Sequence, residues 1–370
     1  MSLDGRVVVI GGGVIGCAAA LALARKGAKV TLLERDAIAA GASRAAAGML
    51  APLSESEEPG CMASAGLEAL ALHKRSAQAL EEIAGISIGA TLAGTFMLAR
   101  DEKQAEALRR RLEWQRELDR SIALLEGDEL NRALPGLGEG FLAGLHYPAE
   151  MQVDARSYTI ALARAAAAAG AELAQGTPVI ALRRSGDRVI AVETPEAVIN
   201  ADRFLVATGH DASLLNSLGV ALPLQPVKGD LLRLRPPRVV TRSIIFAPGG
   251  YLTPKADGTL LVGATEQPGR YDHVVEASSV AQLREFAFSV LPSLRQARFV
   301  AVQSGLRPAL PDRLPAIGPI PGFEGLFVAV GHYRNGILLA GWTAERLARA
   351  MLDGEDCIPA GFLPARMLGT

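Results

Sequence analysis

Residues 6–10 read Arg-Val-Val-Val-Ile, an apolar run too short for a buried helix, and pass straight into Gly11-Gly12-Gly13. A helix is predicted to start near Val14, with an amphipathic stretch over 18–26, and a second apolar strand over 29–33 ends on Glu34. The pattern keeps alternating. It predicts a long helix over 67–84, a strand over 95–98 and a charged helix over 102–120. Asp154 has the form of an N-cap for a helix through 169, stopped by Gly170. Strand-like runs follow at 171–174, 179–183, 189–193 and 204–207. From 223 to 262 the chain is mostly β, with strands at 231–234, 244–247, 251–254 and 260–262, and Asp257-Gly258 as a hairpin turn. A helix over 277–291, a strand over 299–304, a proline-rich loop through 321, a strand over 326–330 and a helix over 337–352 complete it.

The first of these elements carries chemistry. In a strand–glycine loop–helix–strand unit, Gly11 permits the tight turn, Gly13 lets backbone approach a pyrophosphate, and Gly16 lets helix and strand pack closely. The helix start at Val14-Ile15 aims free N–H groups at phosphate oxygens. Glu34, followed by Arg35, stands where a carboxylate accepts hydrogen bonds from ribose hydroxyls. This predicts the ADP half of a dinucleotide and leaves FAD and NAD both open. Three later segments favour FAD. The strand 204–207 ends in Ala207-Thr208-Gly209, a tight turn near the first glycines. The loop 41–49, with Ala42, Ser43, Ala47, Gly48 and Met49, allows the close backbone approach that a tricyclic ring needs. The third is His332-Tyr333-Arg334-Asn335-Gly336-Ile337-Leu338, a turn into a helix whose N-terminus stabilises negative charge on a reduced flavin.

Composition narrows the class. A chain of 370 residues, 49% hydrophobic and 21% charged, with a formal net charge of −1, reads as globular and built from two joined lobes. No basic surplus points to nucleic acid, and Arg109-Arg110-Arg111 reads as a solvated helix face. Cys17, Cys61 and Cys357 lack a CxxC spacing, so neither a disulfide framework nor a metal site is expected. No apolar signal region precedes the first strand and no run approaches a membrane span, so a cytoplasmic protein is expected.

With Ala47-Gly48-Met49-Leu50, Pro226-Val227-Lys228-Gly229, Tyr251-Leu252-Thr253-Pro254-Lys255, Gly263-Ala264-Thr265, Gly305-Leu306-Arg307-Pro308-Ala309 and 331–338 in view, the chain resembles the D-amino-acid oxidase superfamily. Within it, the likeness is greatest to the glycine-oxidase branch that serves thiamine formation. The resemblance implies an α/β fold: a discontinuous Rossmann-like FAD-binding domain with an inserted α+β substrate domain on an antiparallel sheet. The expected segments are 1–85, 146–222 and 301–370 for the first domain, and 86–145 and 223–300 for the second. It further implies a homo-oligomer, tetramer or dimer, with Val179 added to the cofactor set. Some relatives tether flavin through a cysteine or histidine; with no cysteine near Arg307 and no histidine between Gly11 and Gly48, non-covalent FAD is expected.

An α-amino acid brings a carboxylate, and a buried carboxylate calls for a permanently charged, bidentate partner. By resemblance Arg307 matches the carboxylate-binding arginine and Tyr251 the tyrosine whose hydroxyl assists it. Arg334, in the turn before the last helix, is the second arginine candidate. The resemblance implies an FAD-dependent oxidase of small amino acids or amines: hydride passes from the substrate α-carbon to flavin N5, the imine hydrolyses to a 2-oxo acid and ammonia, and molecular oxygen yields hydrogen peroxide. A sarcosine or D-amino-acid oxidase or dehydrogenase with another electron acceptor is the alternative. No general base is demanded, and His332 is read as a cofactor contact. Glu266 stands where the family can place a methionine, so its carboxylate either faces solvent or repels a substrate carboxylate while attracting an ammonium.

Overall fold

The computed structural model describes residues 5–368; residues 1–4 and 369–370, the outer ends of the first and last expected segments, lie outside them. Two sheets organise the chain. The six-stranded sheet runs in the order Ala316–Pro319, Leu326–Val330, Arg203–Val206, Arg6–Ile10, Lys29–Leu33, Glu172–Ala174. All its pairs are parallel except the first, which is antiparallel. Val7–Ile10 and Phe204–Val206 are buried on both faces, which is why they read as unbroken apolar runs. Val7, Val9 and Leu205 join a core with the helices Val14–Arg25, Ala155–Ala168 and Gly336–Ala348. Val8, Ile10, Phe204 and Val206 join another with Leu182, Val189 and Val192 of a three-stranded antiparallel sheet.

The first helix is not amphipathic as expected. Ten of the twelve residues in Val14–Arg25 are buried, because the helix is sandwiched between the sheet and the helices Ala155–Ala168 and Gly336–Ala348. Its small side chains Ala18-Ala19-Ala20 allow that close packing.

The second sheet has nine strands and is mixed rather than purely antiparallel, since Thr95–Ala99 pairs in parallel with Ile244–Ala247. Its spine is Gln225–Arg235, which pairs with Arg298–Ala309 from Gln225↔Ala309 to Arg235↔Arg298. Both strands outrun the expected 231–234 and 299–304. Pro226 and Pro308 face each other in register, so the two missing N–H donors fall on one rung and pairing continues around it. The expected division at 300/301 therefore falls inside a strand, and Arg307 belongs to the nine-stranded sheet. Alternation along the spine sends Gly229 and Leu231 to a central cavity and Leu232 and Leu234 to a core shared with the helix Ala277–Val290. On that inner face Lys228 is fully buried. Its ammonium holds Asp272 Oδ1 at 2.9 Å and the Val274 carbonyl, pinning the segment beyond Glu266. Among the described residues no helix is long and apolar enough to cross a membrane, and no cluster of His, Cys, Asp or Glu could hold a metal ion.

Candidate functional site

A cavity of about 420 Å³ runs from Glu34–Asp36 along the glycine loop to Tyr251, Arg307 and Arg334, so both ends of the chain and both sheets contribute to one site. Gly11, Gly13, Val14, Ile15, Glu34 and Arg35 line its first part. Ala42, Ser43, Ala47, Gly48, Met49, Val179, Ala207, Thr208 and Gly209 line its middle, and His332, Tyr333, Gly336 and Ile337 its far wall. Gly16, Asn335 and Leu338 are not in the lining. A Cβ on Gly16 would overlap the Gly11 carbonyl oxygen, so its place is in helix–strand packing. Asn335 offers its carbonyl to the Leu339 N–H at 2.8 Å. Leu338 is buried in the helical core, and its carbonyl contacts His73 Nε2 at 3.0 Å.

The first part suits an ADP group. Gly11 has φ +113°, and a Cβ there would lie 2.5 Å from the Ala207 carbonyl oxygen; only glycine lets these two strand ends meet. Glu34 is fixed by accepting the Gly12 N–H at 2.6 Å and the Asp36 N–H at 2.8 Å, one on each oxygen. Each oxygen retains a further lone pair for a hydroxyl. Ser43 Oγ accepts the Val14 N–H at 3.0 Å, so this hydroxyl holds the loop 41–49 against the helix start, and the Val14 N–H is not free as expected. Thr208 Oγ1 is buried without a hydrogen-bond partner among the described residues, a polar atom suited to a ligand.

The middle part suits a flat ring. The N-cap Asn335 makes no side-chain capping hydrogen bond to the helix Gly336–Ala348, whose first residues Gly336 and Ile337 lie at the cavity wall. Gly48, at φ +77°, packs against the Val153 carbonyl so tightly that a Cβ would overlap it. Lys255 reaches across from the nine-stranded sheet to the carbonyls of Ala47 and, at 3.2 Å, Val153. Burial pulls its ammonium down to about 8. His332 touches Thr343 Oγ1 at 3.2 Å through Nε2. Burial pulls its ring down to about 3, so it is neutral and a poor proton carrier. The cavity lining contains no cysteine.

The far part separates two arginines that look alike in sequence. Arg307 lies flat over Gly229, where a Cβ would come within 2.5 Å of the guanidinium carbon and closer still to its nitrogens. Its Nη1 donates to the Thr265 carbonyl at 3.3 Å. No carboxylate among the described residues pairs with it. Arg334 is already paired. Glu55 takes it bidentately, at 2.8 Å from Nε and 3.2 Å from Nη2, and Glu266 Oε1 lies 3.2 Å from Nη1. Glu55 holds its guanidinium still more firmly charged. Tyr251 adjoins both: the Arg334 guanidinium is 6.0 Å from its ring centre. Burial raises its hydroxyl's pKa against the pull of Arg307 and Arg334, so it stays protonated and can donate. Glu266 faces neither solvent alone nor an open substrate seat; it also accepts the Tyr333 hydroxyl at 3.2 Å.

Glu55 is the residue that sequence reasoning missed. In Ser54-Glu55-Ser56-Glu57-Glu58 it reads as one of several solvated acids. Its selection is tertiary: Glu150 accepts the Leu53 N–H at 3.0 Å, the Ser54 N–H at 2.9 Å and the Ser54 hydroxyl at 2.8 Å, which fixes the turn that presents Glu55. Gly229 was visible in Pro226-Val227-Lys228-Gly229, but nothing in that motif says that it is the bed of Arg307.

A family model for FAD-dependent oxidoreductases matches residues 6–350. The chain is 38% identical over 345 residues to a glycine oxidase of Geobacillus kaustophilus, covering 92% of this chain and 91% of that protein. It is 34% identical over 369 residues to a glycine oxidase of Pseudomonas aeruginosa, covering 98% and 99%. Among solved structures, the glycine oxidase of G. kaustophilus superposes with a TM-score of 0.94 at 36% identity, over 99% of this chain and 100% of that one.

Proposed function

The chain belongs to the family of FAD-dependent oxidoreductases, and from that premise we propose that it is an oxidase of small amino acids. The reaction takes an α-amino acid or N-methyl amine to its imine, which hydrolyses to a 2-oxo acid and ammonia or amine, with dioxygen reduced to hydrogen peroxide. The observation that carries this reading is Arg307, a guanidinium in the cavity wall that no carboxylate of the described protein neutralises, beside a protonated tyrosine.

FAD, held non-covalently along the glycine loop and the helix start at Gly336, supplies the two-electron acceptor for the substrate's Cα hydrogen. The chain supplies orientation. Arg307 binds the substrate carboxylate through two N–H groups, and Tyr251 donates a third hydrogen bond from its hydroxyl. Gly229 and Thr265 set the plane of the Arg307 guanidinium. His332 stays neutral and closes the wall behind the site. No group in the wall is required to take a proton in the oxidising step if the substrate enters with a neutral amine.

The test is anaerobic reduction of the bound flavin by glycine, sarcosine and D-alanine in separate mixes, followed by peroxide measurement on admitting air. Bleaching with at least one of them and stoichiometric peroxide are expected. Bleaching without peroxide would point to a dehydrogenase with another acceptor. A flavin that no amine bleaches would overturn the reading.

A further inference from the structure

The dipeptide Thr265-Glu266 touches both arginines of the site, and treats them differently. The Thr265 carbonyl orients Arg307 and leaves its charge available, whereas the Glu266 carboxylate neutralises Arg334. Glu55 already balances Arg334 through a bidentate contact from a nearly buried side chain. Glu266 is a second carboxylate on the same guanidinium, and it lies toward solvent, with 42% of its side chain exposed. One acid would suffice for charge balance. The second gives the Glu55–Arg334–Glu266 cluster a formal charge of −1 and occupies Nη1, the edge that Glu55 leaves open.

We propose that Glu266 determines substrate class: it closes Arg334 to incoming anions, so that Arg307 is the one carboxylate seat and amines carrying two carboxylates are rejected. This rests on the reading that Arg307 seats the substrate carboxylate. Both arginines adjoin Tyr251, so a substrate bound at Arg307 and extended by a second carboxylate directs that group toward Arg334. There it meets the Glu266 carboxylate on the same guanidinium edge, a like-charge encounter on the half-exposed outer side of Arg334. The Tyr333 hydroxyl, bonded to the same Oε1 as Arg334, keeps Glu266 from swinging away.

The experiment uses the FAD-loaded wild type, Glu266→Gln and Glu266→Ala. Each is titrated with acetate and with malonate, read by the shift of the flavin absorbance bands, and reduced anaerobically with glycine and with iminodiacetate. The expected result is a malonate-to-acetate affinity ratio about tenfold or more higher in Glu266→Ala, with Glu266→Gln between it and wild type. The ratio of kcat/KM for iminodiacetate over glycine should rise with it. The gain should vanish in Glu266→Ala/Arg334→Met. Acetate binding with a malonate ratio within about twofold of wild type in both single variants overturns the inference and leaves the oxidase reading standing. A gain that survives loss of Arg334 also overturns it. A wild type whose flavin responds to neither acetate nor glycine overturns the oxidase reading and this inference together.

Discussion

Replacing Gly229 with alanine should disable the carboxylate seat proposed at Arg307 without removing any charge. The backbone at Gly229 is not in the left-handed region, so alanine is tolerated conformationally. Its methyl group, however, would fall 2.5 Å from the Arg307 guanidinium carbon, where ordinary contact begins near 3.4 Å. The guanidinium must retreat by about 1 Å and tilt off the Thr265 carbonyl. A misplacement of about 1 Å in a positioning group costs on the order of 100-fold in rate, or about 2.7 kcal/mol of transition-state stabilisation. The fold should hold, because the atoms displaced are the end of a flexible side chain and a strand alanine is less costly than glycine by about 0.5–1 kcal/mol. The assay is stopped-flow flavin reduction by glycine, with acetate titration of the flavin bands and a melting curve on the same samples. An unchanged melting temperature with kcat/KM lower by about two orders of magnitude is expected. If acetate affinity and kcat/KM both stay within about threefold of wild type, Arg307 does not seat the carboxylate.

Arg307→Ala should keep FAD through gel filtration while carboxylate binding weakens by about 100-fold or more, read by the same titration. Gly11→Ala places a Cβ against the rigid Ala207 carbonyl at φ +113°, so at least about tenfold weaker FAD retention is expected, measured as flavin passing an ultrafilter. Glu150→Gln tests a buried acid whose carboxyl is pushed up from 4.5 to about 7 by burial. A raised folded-state value means that stability present below about pH 4.5 is lost as pH rises through 7. The variant, whose amide can still accept both N–H groups, should therefore gain on wild type across that window, by up to about 3 kcal/mol at pH 8. Urea unfolding at pH 4.5, 6 and 8 measures it, and a difference that does not grow with pH would refute the assignment.

Much of the site was legible because its parts are local. The glycine turn, Glu34 and the helix starts at Val14 and Gly336 are defined by neighbours within a few residues, and backbone geometry imposes the residue types there. The strand ends were less legible. Pro226 and Pro308 are breakers in isolation, and only their mutual register makes them harmless, so the sheet runs on to Ala309 where a loop was expected. The burial of the helix Val14–Arg25 was likewise underestimated, since neighbours that cover its second face come from residues 155–168 and 336–348.

Arg307 and Arg334 mark the division most sharply. The sequence alone determined that a dinucleotide loop, small-residue turns and two arginines belong to this chain, because short-range sterics and hydrogen bonding restrict those positions. Resemblance put Arg307 before Arg334, but neither arginine's local pattern says whether a carboxylate of the chain pairs with it. That depends on Glu55, which lies 279 positions from Arg334, on Glu266, and on the Glu150-held turn that presents Glu55. Charge is long-ranged in space and indifferent to separation along the chain. Tertiary structure therefore decided that one guanidinium is neutralised and the other has no carboxylate partner among the described residues.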